Sequence, residues 1–358
     1  MSGTGKSSAW THVAFFTAGF VFDAVMVRRI DDVRVLVQQG LYLLLSGVLL
    51  ATLIAWRHRP PQLRAALAWV PRWIEPTLHF MLGTLLNAYA LFYIRSASGL
   101  IALLFFVVIA LLLLVNELPS IRRLGPVVLY GLYSFSLTSY FAYLYPVLVG
   151  RIRWWMFPLA VATSAVPLVL VGRVHRRRAD SGRQVVREAL VPSLGVQAVL
   201  LALYVFHLIP PVPLSLMEIG IYNDVTRTPE GAYRVTYETP PWYRFWSKDD
   251  VVFVARAGDR VFTFFRVFAP RGFRDEIRVA WLSDQPGHGW TRAGDVPIAV
   301  TGGREGGYAG YSYKQNWRAG EWRVIVTTAD GREIGRRTFV IRVDDDPSRP
   351  RAMTVDTR

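Results

Sequence analysis

Long apolar runs, broken by short basic segments, fill the chain as far as about residue 213. Leu100 to Val115 is sixteen apolar residues without a break. With Gly99 before it and Leu118 after it, the run reaches the length of a membrane-spanning helix, about 20 residues rising roughly 1.5 Å each across about 30 Å of hydrocarbon. Similar segments lie on both sides: Trp10 to Val27, Val35 to Trp56 and Trp73 to Ile94 before it, then Leu124 to Val149, Trp154 to Val171 and Leu190 to Val212 after it. The pattern predicts a membrane all-α bundle of about seven transmembrane helices over residues 1–213. The first span is the least regular, with Asp23 inside it and Arg28 and Arg29 directly behind. No small-residue cleavage site follows it, so it reads as an uncleaved anchor.

Pro210, Pro211 and Pro213 stop the last helix and force an extended linker. Beyond them the hydrophobic period changes from helical to two. Val251 to Arg256 and Arg260 to Phe268, joined by Ala257-Gly258-Asp259, predict a hairpin. Glu321 to Thr328 and Arg332 to Val343, joined by Ala329-Asp330-Gly331, predict another. In the second pair Trp322, Val324 and Val326 share one face, and so do Phe339, Ile341 and Val343. Further strands fit Ala232 to Glu238, Glu276 to Ser283, Val296 to Thr301 and Tyr308 to Lys314. Eight short strands at turn-punctuated spacing predict an all-β, immunoglobulin-like antiparallel sandwich over 214–343. The polar end, 344–358, reads as a disordered tail.

Charge gives the bundle an orientation. Of 41 Lys+Arg against 26 Asp+Glu, residues 1–214 hold 19 against 7. That surplus sits in short loops between apolar spans, not on a soluble face, so it reports topology and a bilayer partner and argues against nucleic acid. Lys6, Arg57, Arg59, Arg64, Arg72, Arg122, Arg123 and the six arginines from Arg173 to Arg187 fall on one side. Arg28, Arg29, Arg34, Arg95, Arg151 and Arg153 fall on the other. Basic residues are retained in the cytoplasm. The amino terminus is then cytoplasmic, and seven crossings put the strand-patterned domain outside, in a periplasm or its equivalent. Trp10, Trp56, Trp69, Trp73, Trp154 and Trp155 stand at span ends, where amphipathic rings favour the interface.

Little of the chain carries recognisable chemistry. There is no cysteine, which excludes disulfides and thiolate sites. Gly3-Thr4-Gly5-Lys6-Ser7 imitates the end of a phosphate loop but lacks the earlier glycine and the strand before it. Gly302-Gly303-Arg304-Glu305-Gly306-Gly307 has Thr301 where a dinucleotide turn needs its first glycine. The six histidines are not spaced as metal ligands, and no cofactor is implied. Two polar stripes remain inside the spans. Glu75, His79, Gly83 and Asn87 recur every four residues on the third; Tyr133, Ser136, Tyr140 and Tyr143 follow one seam of the fifth. Interhelical hydrogen bonding explains both stripes; a substrate or ion path is the competing explanation. In the tail, Trp242, Tyr243 and Trp246 follow Pro240-Pro241. They either pack on the sandwich or membrane interface, or form an aromatic platform for a sugar or peptide.

Gly258-Asp259-Arg260, Gly289-Trp290, Gly302-Gly303, Gly320-Glu321-Trp322-Arg323-Val324 and Asp330-Gly331-Arg332-Glu333-Ile334-Gly335-Arg336 followed by Phe339 resemble the bacterial domain of unknown function numbered 2914. The likeness covers chiefly Gln285 to Val343. It implies the carboxyl end of a bacterial polytopic membrane protein, hence a place in the envelope, and no reaction. The expected role is noncatalytic: an inner-membrane protein whose periplasmic sandwich binds an envelope polymer or a membrane protein partner. The competing class is a membrane-embedded transporter or lipid- or polysaccharide-processing enzyme using Glu75, His79, Asn87, Tyr133, Ser136 and Tyr140.

Overall fold

The computed structural model describes residues 32–59, 69–96, 125–244, 248–304, 306–346 and 350–358, with residues 62, 107, 111 and 348 singly. Among these are five helices long and apolar enough to cross a membrane. They are α1 (Val33–Arg57), α2 (Trp69–Ser96), α3 (Pro126–Val149), α4 (Met156–Arg178) and α5 (Gly182–Val205). They account for five of the seven predicted spans. The other two, Trp10 to Val27 with Asp23 and Gly99 to Leu118, lie outside the described residues apart from Val107 and Leu111, as does the Gly3 to Ser7 run.

Three of the helices, α1, α4 and α5, carry the burial pattern of a lipid-facing element. On α1, Leu36, Leu43 and Leu50 are buried at seven-residue intervals beside Gln39, Ser46 and Gly47, while Val37, Leu41, Leu44 and Val48 are exposed. Val166, Val169 and Leu170 of α4 and Val191, Leu194 and Val199 of α5 are likewise exposed. Apolar faces of this extent are a liability in water and at home in lipid, whereas small and polar residues meet between helices. α1 begins where Asp32 accepts the Arg34 N–H at 2.9 Å, the side-chain cap that an otherwise unsatisfied first turn needs. α5 is interrupted at Val186–Leu190 by one turn of π-helix.

The second unit comprises Pro210–Arg358 together with the connection Val149–Arg153. Its strands are β1 (Ser215–Tyr222), β2 (Asp224–Arg227), β3 (Tyr233–Glu238), β4 (Val252–Ala255), β5 (Val261–Phe268), β6 (Arg274–Gln285), β7 (Gly289–Thr301), β8 (Tyr308–Lys314), β9 (Gly320–Thr328), β10 (Glu333–Val343) and β11 (Met353–Thr357). A three-stranded sheet β1-β5-β8 and a five-stranded sheet β4-β10-β9-β6-β7 share one core, and β11-β3-β2 forms a third, smaller sheet. Ile221, Phe265 and Val267 of the first sheet pack with Val279, Trp281, Trp322, Val324 and Phe339 of the second. This is a β-sandwich, built from the alternation visible in the sequence. The α3–α4 connection is tied into it: Arg274 N–H donates to Gly150 O at 2.9 Å, and Ile152 N–H and Arg153 both reach Asp275.

Four expectations are corrected. The β4–β5 hairpin does not exist. The turn is present, with Asp259 accepting the Arg256 N–H at 2.8 Å, but β4 pairs with β10 and β5 lies between β1 and β8. A turn motif fixes a reversal, not the strand that is met afterwards; β5, buried along most of its length, needs a neighbour on both edges. Secondly, the β4–β10 pair is parallel, so the sandwich is not wholly antiparallel. Thirdly, residues 344–358 are not a disordered tail. β11 pairs with β3 from Met353↔Glu238 to Thr357↔Arg234, and Arg351 and Arg358 pair with Asp259 at 2.8 Å and Glu218 at 3.1 Å. A polar segment folds here because the partner strand supplies its hydrogen bonds and the arginines their carboxylates. Lastly, Val343, on the face of Phe339 and Ile341, is 58% exposed and not buried with them, because β10 ends there. The β9–β10 hairpin and the burial of Trp322, Val324 and Val326 are as expected.

Candidate functional site

The two intramembrane stripes meet different surroundings. Along α3, Tyr133 and Tyr140 are seven residues apart, as Gly47 and Gly40 are on antiparallel α1. A Cβ on Gly40 would lie 2.9 Å from Tyr140 Oη, and one on Gly47 would press on Tyr133 Oη. Each ring therefore occupies the space of a missing side chain. Tyr140 Oη also donates to Leu36 O at 3.2 Å, and Tyr143 Oη donates to Gln39 Oε1. Ser136 is fully buried on the same helix. Around them, Tyr93 Oη reaches Ser139 Oγ at 3.4 Å, while Ser164 Oγ meets Thr138 Oγ1 at 3.0 Å and the Gln197 amide at 2.9 Å. The seam is thus a helix-to-helix fastening across α1, α2, α3, α4 and α5.

On α2, His79 and Asn87 are buried, at 4% and 6% exposure. Glu75 is not with them in the interior; it is half-exposed, 3.8 Å from the Arg57 guanidinium.

A second polar cluster went unseen in the sequence because its members come from four helices. Tyr130 Oη lies 3.5 Å from His175 Nδ1, and His175 Nε2 lies 3.5 Å from Glu188 Oε2. Glu188 Oε1 accepts from Gln184 Nε2 at 3.1 Å, which is also 3.5 Å from His58 Nε2. His58 Nδ1 sits 2.9 Å from Ile54 O. One set of tautomers suits the hydrogen bonds: His58 donates from Nδ1 and accepts at Nε2, while His175 accepts from Tyr130 at Nδ1; His175 Nε2 faces Glu188 without hydrogen-bond geometry. The π-turn of α5 contains Glu188, as such turns often do where a side chain must be re-aimed. The one sequence signal was the four-residue spacing of Gln184 and Glu188.

Among the described residues, three of the grooves along the helices are lined by no stripe residue. One of about 290 Å³ lies along α4 and α5 beside Arg173 and Arg176; a second, of about 690 Å³, continues from Arg176 to Arg183 and Arg187; a third, of about 410 Å³, is walled by α1 and capped by Arg59. Among the described residues no group of His, Cys, Asp or Glu is arranged to hold a metal ion.

On the β unit, Trp242 and Tyr243 project from a short 3-10 turn at 87% and 56% exposure, their rings edge-on with centroids 5.9 Å apart. Trp246, the third member of the expected platform, lies outside the described residues. A second exposed aromatic face was hidden in the alternation of β8. Tyr311 and Tyr313 flank Phe262, and the Arg260 guanidinium lies 5.2 Å from the Tyr313 ring centre. Deeper in the unit, Asp250 is buried, accepting from Glu238 N–H at 3.0 Å and Asn223 Nδ2 at 2.8 Å. Burial pushes its carboxyl up to about 8, against the lowering effect of the Glu238 N–H.

Five apolar helices and a β-sandwich define a membrane protein with a folded β domain. Residues 274–341, from the start of β6 into β10, match the family described as "Protein of unknown function (DUF2914)", at the carboxyl end of the chain. No curated protein matches the chain. Among solved structures, an immunoglobulin-like protein from Pseudomonas aeruginosa is 13% identical, covering 37% of this chain and 98% of its own, with a TM-score of 0.23. The Pseudomonas fluorescens alkylpurine DNA glycosylase AlkC, bound to DNA containing an abasic site analogue, is 12% identical, covering 79% of this chain and 83% of its own, also with a TM-score of 0.23.

Proposed function

We propose that the chain is a seven-span bacterial inner-membrane anchor, amino terminus in the cytoplasm, that presents an immunoglobulin-like periplasmic domain to an envelope polymer or a membrane protein partner. The observation that carries this reading is the bare Trp242–Tyr243 pair: two large exposed rings set edge-on on the β unit. Exposed, rigid aromatics of this kind are binding groups, for they offer flat contact area at small entropic cost. The tyrosine seam supports the anchor reading over a transporter or enzyme, since Tyr140 and Tyr143 spend their hydroxyls on α1. The α3–α4 connection, predicted to lie outside, folds as part of the β unit, which supports an outside location for that unit as well.

The test is photo-crosslinking in living cells. A photoreactive residue in place of Tyr243 is expected to trap one discrete adduct, polymer or protein, that disappears when Trp242→Ala is added. No adduct, in cells where a known envelope complex crosslinks under the same illumination, would overturn the reading.

A further inference from the structure

We infer that the trough along α4 and α5 is a binding site for one anionic phospholipid, with the phosphate held by Arg173 and Arg176 and an acyl chain laid between the two helices. Three observations converge on it.

The first is the distribution of charge. Arg173 and Arg176 line the narrower groove, and Arg176 also opens onto the wider one beside Arg183 and Arg187. No carboxylate lines either groove, and among the described residues neither Arg173 nor Arg176 is in an ion pair. An arginine fork left open beside hydrocarbon suits the two free oxygens of a phosphodiester.

The second is length. From Arg176 the groove follows α4 back to Ala165 and α5 forward to Gln197. The eleven helical steps from Ala165 to Arg176 rise roughly 16 Å, close to half of a hydrocarbon core of about 30 Å. The groove is therefore as deep as one leaflet, and its wall beyond the arginines is largely apolar, with Leu168, Val169, Leu190 and Leu194 beside the polar Ser193 and Gln197.

The third is a vacancy built into the backbone. Gly172 lines the groove directly before Arg173 and one turn from Arg176, and a Cβ there would have nothing within 4 Å. At Gly40 and Gly47 a tyrosine hydroxyl fills the space beside the backbone. Gly172, like Gly182 and Gly195 of α5, leaves room that no side chain takes up, and of the three it alone lines the narrower groove. The π-turn that includes Ala189 and Leu190 shapes the facing wall. The site concerns only the helical unit and stands or falls independently of what the β unit binds.

The experiment reconstitutes the full chain in nanodiscs of phosphatidylcholine and phosphatidylglycerol, releases it gently, and reads the retained lipid by native mass spectrometry. Phosphatidylglycerol is expected to be enriched over its share of the mixture, by about fivefold for each contributing arginine. Arg173→Gln/Arg176→Gln should return the retained lipid to the bulk ratio. Gly172→Phe, which keeps both arginines and fills the vacancy, should do the same. Arg177→Gln/Arg178→Gln removes equal charge outside both grooves and should leave the enrichment intact. Enrichment that survives Gly172→Phe, or that falls equally in the Arg177/Arg178 control, would overturn the site and leave only diffuse attraction to anionic lipid. Should the arginine pair fail to fold, Gly172→Phe decides alone, because its new ring enters open space.

Discussion

At the scale of single residues, two positions separate what chemistry dictates from what packing dictates. Asp250 is a carboxyl whose burial outweighs its hydrogen bonds, so its proton is held up to about pH 8. In the unfolded chain the same group ionises near 4. Its contribution to stability is then complete below about pH 4 and is lost as pH rises through about 8, each unit between being worth up to about 1.4 kcal/mol. Thermal unfolding of the full-length protein in detergent should show the β-unit transition falling from pH 5 to pH 9. Asp250→Asn should flatten that slope, and an unchanged slope would assign it to other groups. Gly47 shows the opposite case, a residue defined by its neighbour's ring. Gly47→Ala is expected to cost about 1–3 kcal/mol by overpacking. Adding Tyr133→Phe should recover part of that loss, because the hydroxyl in the way is gone. Simple additivity of the two losses in a double-mutant cycle would mean the pair is not in contact.

At the scale of elements, the sequence was most legible where one period ran unbroken. The five described helices follow from apolar runs, and β9 and β10 follow from strict alternation closed by Ala329-Asp330-Gly331. Trp322→Ala should accordingly cost about 3–5 kcal/mol, the loss expected for a large aromatic in a closed core. A loss under about 1 kcal/mol, measured by denaturant unfolding, would contradict its burial. Legibility failed where an element depends on a distant partner. β1 went unread because a bulge between Leu216 and Glu218 breaks its alternation. β7 began at Gly289, earlier than expected, since an edge strand with one exposed face needs few apolar residues. β11 was invisible because its stability comes from β3 and from Arg351 and Arg358. The candidate sites divide in the same way. Trp242 and Tyr243 stood out as a local cluster, but the His58, Tyr130, His175, Glu188 network joins residues whose spacing carries no signal. For the stripe on α2, His79→Leu/Asn87→Leu should leave function intact if it only fastens helices, since such hydrogen bonds average about 0.6 kcal/mol each. Complementation of a deletion strain, paired with thermal stability, reads this out; lost function at unchanged stability would favour the transporter or enzyme class.

At the scale of the whole molecule, the account requires that the β unit stand outside the cytoplasm. The distribution of Lys and Arg between alternate loops and an odd number of crossings both lead there, and two of those crossings are expected in residues 1–31 and 97–124. The folding of Val149–Arg153 into the β unit agrees with that side. Alkaline phosphatase fused after Arg358, past β11 so that the sandwich remains complete, reports the location directly because the enzyme matures only outside the cytoplasm. The account predicts an active, stable fusion, and an inactive fusion when a fluorescent protein takes its place. A stable but inactive phosphatase with a bright fluorescent counterpart would contradict it, placing the β unit inside and reducing the crossings to an even number.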